Sequence, residues 1–158
     1  MALQKIPREE VIDRLLGVFR QYGYEGASLT MISEAVGLQK ASLYHLFPEG
    51  KEAMARAVLE SVGGFLEEQV LTPLRAHGTP EARLARMMEQ VREFYGDGRF
   101  SCLFETLSLG GQNNPFSDMI GRALNSWQEA MAGLARERGA SKDRRSERPI
   151  IGRQFQPA

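Results

Sequence analysis

Residues 28–54 read SLTMISEAVGLQKASLYHLFPEGKEAM. Ser28 suits the N-cap of a helix that would bury Leu29, Ile32, Ala35 and Val36 at helical spacing. Gly37 then supplies the turn, because glycine alone takes positive φ without strain. Leu38 would plug the small core, and Gln39 to Phe47 would form a second, shorter helix ending before Pro48. In that helix Leu43 and Phe47, four apart, face inward. Lys40, Ala41, Ser42, Tyr44 and His45 are left for the outer face. The pattern predicts a helix-turn-helix over about 28–47, a unit that offers one small convex helix to the major groove of DNA. The small side chains of Ala41 and Ser42 would let it approach closely, while Lys40, Ser42, Tyr44 and His45 can reach bases or phosphates.

Upstream, Val11, Ile12, Leu15, Leu16, Phe19 and Tyr22 repeat at helical spacing and predict a first helix with these residues inward. Pro7 suits its first turn, and Glu9 and Glu10 favour the positive end of its dipole. Gly23 is the expected stop, with Gly26 allowing a second bend.

These residues resemble the TetR family of bacterial transcriptional regulators. The resemblance rests on Phe19-x-x-x-Gly23-Tyr24, on Ser28 to Gly37, and on Ser42-Leu43-Tyr44-His45. Phe47-Pro48 and Lys51-Glu52 at the start of a long helix complete it. It continues more weakly through Cys102 to Gly111 and Asn125 to Gly139, which look like the effector domain of one branch. The resemblance implies that Ser28 and Thr30 contact the backbone or a base from the second helix. It implies that Lys40, Ala41, Ser42, Tyr44 and His45 face the major groove or its flanking phosphates. Lys51 would hold a phosphate, helped by the N-terminal amides of its helix. Leu46 departs from the polar or aromatic residue usual at its position, and Gly50 lengthens the loop slightly.

Lys51 to about Arg75 reads as one long helix with Met54, Val58, Val62, Phe65, Leu66, Val70 and Leu71 on its apolar stripe. Gly63-Gly64 is its expected weak point, either a kink or a place for close packing. Thr79 can cap a helix from Pro80 to about Tyr95, and Gly96-Asp97-Gly98 reads as a turn. Ser101 to Leu109 is short and apolar, followed by a loop through Pro115 and a helix from about Phe116 to Arg138. Met87, Met88, Met119 and Met131, with Phe94, Phe104 and Trp127, are candidates to line an adaptable apolar cavity for a small-molecule effector. The resemblance implies that a ligand there would shift the spacing of two DNA-reading heads and release the operator. It also implies a homodimer.

The whole is expected to be all-α. Residues 1–48 would form the DNA-binding unit, 49–139 a helical effector and dimerisation unit, and 140–158 an atypical basic tail. In that tail the basic residues 142, 144, 145, 148 and 153 outweigh the acids 143 and 147, and Pro149 and Gly152 limit any helix starting at Ser141. The reading is a repressor that binds a double-stranded operator and is released by a small molecule. The alternative is a truncated relative with impaired dimerisation and weak or no operator binding.

Composition bounds these readings. The 158 residues are 42% hydrophobic, enough for a packed core. No apolar run approaches the roughly 20 residues that span a bilayer, and MALQKIPREEVID lacks the apolar centre of a signal peptide, so a cytoplasmic protein is expected. The 20 basic residues are balanced by 20 acidic ones. Within residues 1–51 the cations at 5, 8, 14, 20, 40 and 51 are matched one for one by acids at 9, 10, 13, 25, 34 and 49. Attraction to DNA therefore depends on how charge is sorted by face, and non-specific affinity should be modest. The single cysteine, Cys102, excludes an internal disulfide and reads as a packed thiol. His45 and His77 have no metal-ligand spacing, no Gly-x-Ser-x-Gly elbow occurs, and Gly50-Lys51 lacks the remainder of a phosphate-binding loop. No metal, cofactor or catalytic residue is expected.

Overall fold

The computed structural model describes residues 6–108 and 114–146, with side chains as far as residue 139. Among them there is no strand. The helices are α1 (Arg8–Gly26), α2 (Leu29–Val36), α3 (Lys40–Leu46), α4 (Lys51–Phe65), α5 (Thr72–Arg75), α6 (Pro80–Phe94), α7 (Leu103–Ser108) and α8 (Ser117–Ser146). The fold is all-α, with α1–α3 leading a body built from α4–α8.

α1 buries Val11, Leu15, Val18 and Phe19, leaves Ile12 and Leu16 half-buried, and turns Tyr22 outward. Tyr22 was expected inside. The helix kinks one residue later, at Gly23 (φ 66°, ψ −175°), so the packed face ends at Phe19 and does not extend a further turn. Gly23 serves two ends. Its backbone occupies a region essentially closed to other residues, and a Cβ there would lie 3.2 Å from the Thr106 carbonyl oxygen of α7. α1 thus rests directly on α7 as well as on α2 and α4.

A second joint lies one turn earlier. The Arg20 guanidinium sits over the rings of Phe94, Tyr95 and Phe100, at 4.4, 5.6 and 5.4 Å from their centroids. Phe94 in turn stacks on Phe65 at 4.3 Å. The Tyr95 hydroxyl donates to Cys102 Sγ at 3.4 Å, and burial pushes that phenol above its ordinary range. Beyond the kink, Tyr24 meets the buried Phe116 edge-on at 5.0 Å. Aromatic contacts therefore hold the first helix to the body on both sides of Gly23.

The long helix expected over 51–75 is interrupted, but not at Gly63-Gly64, which remain helical within α4. The irregularity is a π-helical turn over Leu66–Leu71, where the Thr72 N–H reaches back five residues to the Glu67 carbonyl. The cause stands just downstream. Pro73 has no N–H and its ring would crowd the carbonyl four residues earlier, and a wider turn relieves that clash. The turn also lets Leu66, Val70, Leu71 and Leu74 all enter the core.

Thr79 caps α6 as expected, its hydroxyl accepting from the Ala82 N–H at 3.3 Å. The buried Arg83 ties α6 to its surroundings, donating to the Leu74 carbonyl at 2.9 Å and pairing with Glu137 of α8. α8 was expected to end near Arg138, with a separate start at Ser141; its backbone instead continues unbroken to Ser146. The rest of the basic tail lies outside the described residues, as does most of the loop before Pro115.

Candidate nucleic-acid interface

The turn between α2 and α3 is built by local hydrogen bonds. Ser28 Oγ accepts the Met31 N–H at 3.2 Å, satisfying a donor at the start of α2. At the other end Gly37 is left-handed (φ 75°, ψ 26°), and the Gly37 and Leu38 N–H groups both donate to the Ser33 carbonyl. Ser33 Oγ donates to the Leu38 carbonyl at 2.5 Å, and Arg14 of α1 donates to the Val36 carbonyl at 2.6 Å. The turn carbonyls of Val36 and Leu38 are thereby satisfied by side chains. The helix angle is set before any partner arrives.

α3 is anchored from beneath by Leu43 and Phe47, both buried. Leu46, half-buried, gives its carbonyl to Arg8 Nη1 at 3.4 Å, and the Arg8 guanidinium lies over the Phe47 ring at 4.7 Å. Lys40, Ala41, Ser42, Tyr44 and His45 all project into solvent, and Tyr44 keeps 45% of its surface exposed. Ser28 and Thr30 are exposed at the first turn of α2. Ala35, expected inside, is exposed too. Ile32 and Val36 take the whole buried face of this eight-residue helix, leaving Ala35 on its flank.

Lys51 is the exception among the candidate contacts. Its Nζ donates to the carbonyls of Tyr24 at 2.7 Å and Ala27 at 3.1 Å, and lies 4.5 Å from the Tyr24 ring centroid. The structure brings Lys51 beside Ser28 but turns its ammonium inward. Arg8 and Arg14, both exposed, also bind backbone carbonyls at the ends of α3 and α2. No sequence spacing marks such a contact, since each joins residues more than twenty apart.

Among the described residues, the seven candidate effector-site residues have different surroundings. Met87 and Phe104 are buried in the core, whereas Met88 is 56% exposed on the outer side of α6. Phe94 is occupied by Phe65 and Arg20. Met119 Sδ accepts from Arg56 at 3.6 Å, and Trp127 is half-buried against the core. Met131 borders a small cavity of about 150 Å³ between α6 and α8, with Pro80, Leu84, Leu134 and Arg138.

An exposed polar helix on a helix-turn-helix corner, carried by an all-α body, places the chain in the class of helix-turn-helix proteins. Residues 11–58 match the model of the family described as "Bacterial regulatory proteins, tetR family". The chain is 24% identical over 153 residues to the HTH-type transcriptional regulator LmrA of Bacillus subtilis, covering 91% of this chain and 79% of that protein. The regulatory protein TetR from Rhodobacter sphaeroides superposes with a TM-score of 0.72 at 24% identity, over 85% of this chain and 73% of that one. The transcriptional regulator FadR from Bacillus subtilis, solved in complex with stearoyl-CoA, superposes with a TM-score of 0.63 at 18% identity, over 95% and 76% of the two chains. The family match thus covers the helix-turn-helix and the start of α4, and the remainder of the chain shares the fold of these regulators. Among the described residues no helix is long and apolar enough to cross a membrane.

Proposed function

We propose that this protein is a repressor that binds a double-stranded operator as a homodimer and is released by a small-molecule effector. Residues 1–48 would form the DNA-reading unit and 49–139 the unit that binds effector and pairs the protomers. The observation that carries the DNA-binding reading is the solvent-facing side of α3. Its five outward residues are polar or small, on a helix whose inner face is fully used in packing. Tyr44 and Lys40 have the reach for phosphates, Ser42 and His45 can hydrogen-bond base edges, and Ala41 permits close approach. Ser28 and Thr30 would add phosphate contacts at the start of α2, where helix N-terminal amides favour an anion.

The effector reading rests on the family match and on the apolar body, and FadR with stearoyl-CoA is an instance of a bound ligand in a protein of this fold. Met87, Met88, Phe94, Phe104, Met119, Trp127 and Met131 remain the residues for an apolar ligand to approach, Met88 being the most exposed of them.

A nuclease footprint on the DNA flanking the protein's own gene tests the reading. Two protected half-sites about one helical turn apart are expected, from two heads acting together. Tyr44→Ala and Lys40→Ala should abolish or weaken protection while the helical circular-dichroism signal and melting temperature stay unchanged. Absence of any protected site, or variants that bind as well as the parent, would overturn it.

A further inference from the structure

We infer that Lys51 is a positioning residue for DNA recognition, acting as an internal cap on the corner between α1 and α2, not as a ligand for phosphate. The inference rests on the DNA-binding reading of α2 and α3. Three observations point the same way. The Lys51 ammonium carries three donors, and two are spent on the carbonyls of Tyr24 and Ala27 at 2.7 and 3.1 Å. Those carbonyls belong to the end of α1 and to the residue joining it to Ser28, where a kinked helix leaves acceptors without intrahelical partners. The ammonium also lies over the Tyr24 ring, which itself abuts the buried Phe116 of the body.

The consequence is mechanical. Lys51 opens α4 and clamps the segment that delivers Ser28 and Thr30, so one side chain ties the start of α4 to the approach of the α2 N-terminus. A charged donor to part-buried carbonyls is stronger than a neutral one, and leaving those carbonyls unpaired carries a desolvation cost. Turning Lys51 outward to a phosphate would give up both bonds and the ring contact together. The contact that orients the α2 N-terminus therefore competes with a direct phosphate contact, and the observed geometry favours the first.

Lys51→Met keeps most of the stem and removes the donors, and two measurements on the full chain decide the matter. In DNA-free protein, amide hydrogen exchange at residues 26–31 should accelerate on the order of tenfold, the loss of about one charged hydrogen bond, while α8 amides stay unchanged. In titrations of a mixed-sequence duplex at several salt concentrations, Lys51→Met should bind more weakly with the same dependence of log K on log salt as the parent. A phosphate ligand would instead lower that slope by about 0.9 per head. A reduced slope with unchanged exchange at residues 26–31 would overturn the inference. If the parent protein itself bound no duplex, the DNA-binding reading would fall, and the exchange measurement alone would still decide whether Lys51 orders the corner.

Discussion

α1–α3 and the body behind them solve the same packing problem by different means. From Ser28 to Phe47 the turns are closed by neighbours in sequence, and Arg8 and Arg14 of α1 add caps from farther off. Ser28 caps its own helix three residues on, Gly37 closes α2 onto Ser33, and Phe47 returns to Leu43. In the body, and where α1 meets it, the decisive contacts are distant. Arg83 meets Glu137, Arg20 meets Phe94, and Tyr24 meets Phe116. A region that must present one helix at a fixed angle benefits from local determination, because nothing far away has to be right first. A region proposed to accommodate a ligand or a second chain is free to be assembled from long-range contacts, which can rearrange. The substitutions below set these two modes against each other.

The largest effect is expected at Phe47→Ala. The ring is almost fully buried, closes the underside of α3, and carries the Arg8 guanidinium on its face. Removing it should cost about 3–5 kcal/mol by the usual sum of lost transfer energy and residual cavity. Urea denaturation should show the loss as a lower midpoint, and DNA binding should disappear with it. A loss below about 1 kcal/mol would mean that α3 is held mainly by its turn, and that local determination extends even to its packing.

This division also explains what could be read in the chain beforehand. The Ser28 cap, the Gly37 turn and the inward Leu43 and Phe47 are local signals, and each was legible from spacing and residue type. The outward set on α3 was legible for the same reason, as was the all-α class. What escaped was whatever depends on a partner far along the chain. Lys51 looks like any helix-opening lysine until Tyr24 and Ala27 are brought to it. Met87 and Met88 are equivalent as residue types, yet one is core and the other faces solvent. Tyr22 continued a sound periodicity that the Gly23 kink cut short.

In the body, Glu137→Gln probes a contact of the long-range kind. Arg83 is 5% exposed and holds its charge between the Leu74 carbonyl and Glu137, whose own side chain is more than half in solvent. Neutralising Glu137 should destabilise by about 1–3 kcal/mol, less than a wholly buried pair would lose because water reaches the acid. The double variant Arg83→Met, Glu137→Gln should recover part of that loss, since the buried charge has gone with its partner. Equal destabilisation in the single and double variants would show that Arg83 acts through its stem packing, with no energetic link between α6 and α8 through the pair.

The smallest effect should have the opposite sign. Gly63 and Gly64 lie in regular α-helical backbone, and a Cβ added at either would meet nothing within 4 Å. The glycine pair invites the reading of a kink, but the bend in this stretch is made by Pro73 acting on the turn before it. Gly64→Ala should therefore stabilise the protein by about 0.5–1 kcal/mol, through a smaller unfolded-state entropy and better helix propensity. The gain would appear as a higher urea midpoint with an unchanged slope. A destabilised Gly64→Ala would mean that the glycine pair serves a close approach absent from the isolated chain, such as packing against a second copy. Regular geometry in α4 would then be only half of its role, and the body's dependence on distant contacts would extend to another molecule.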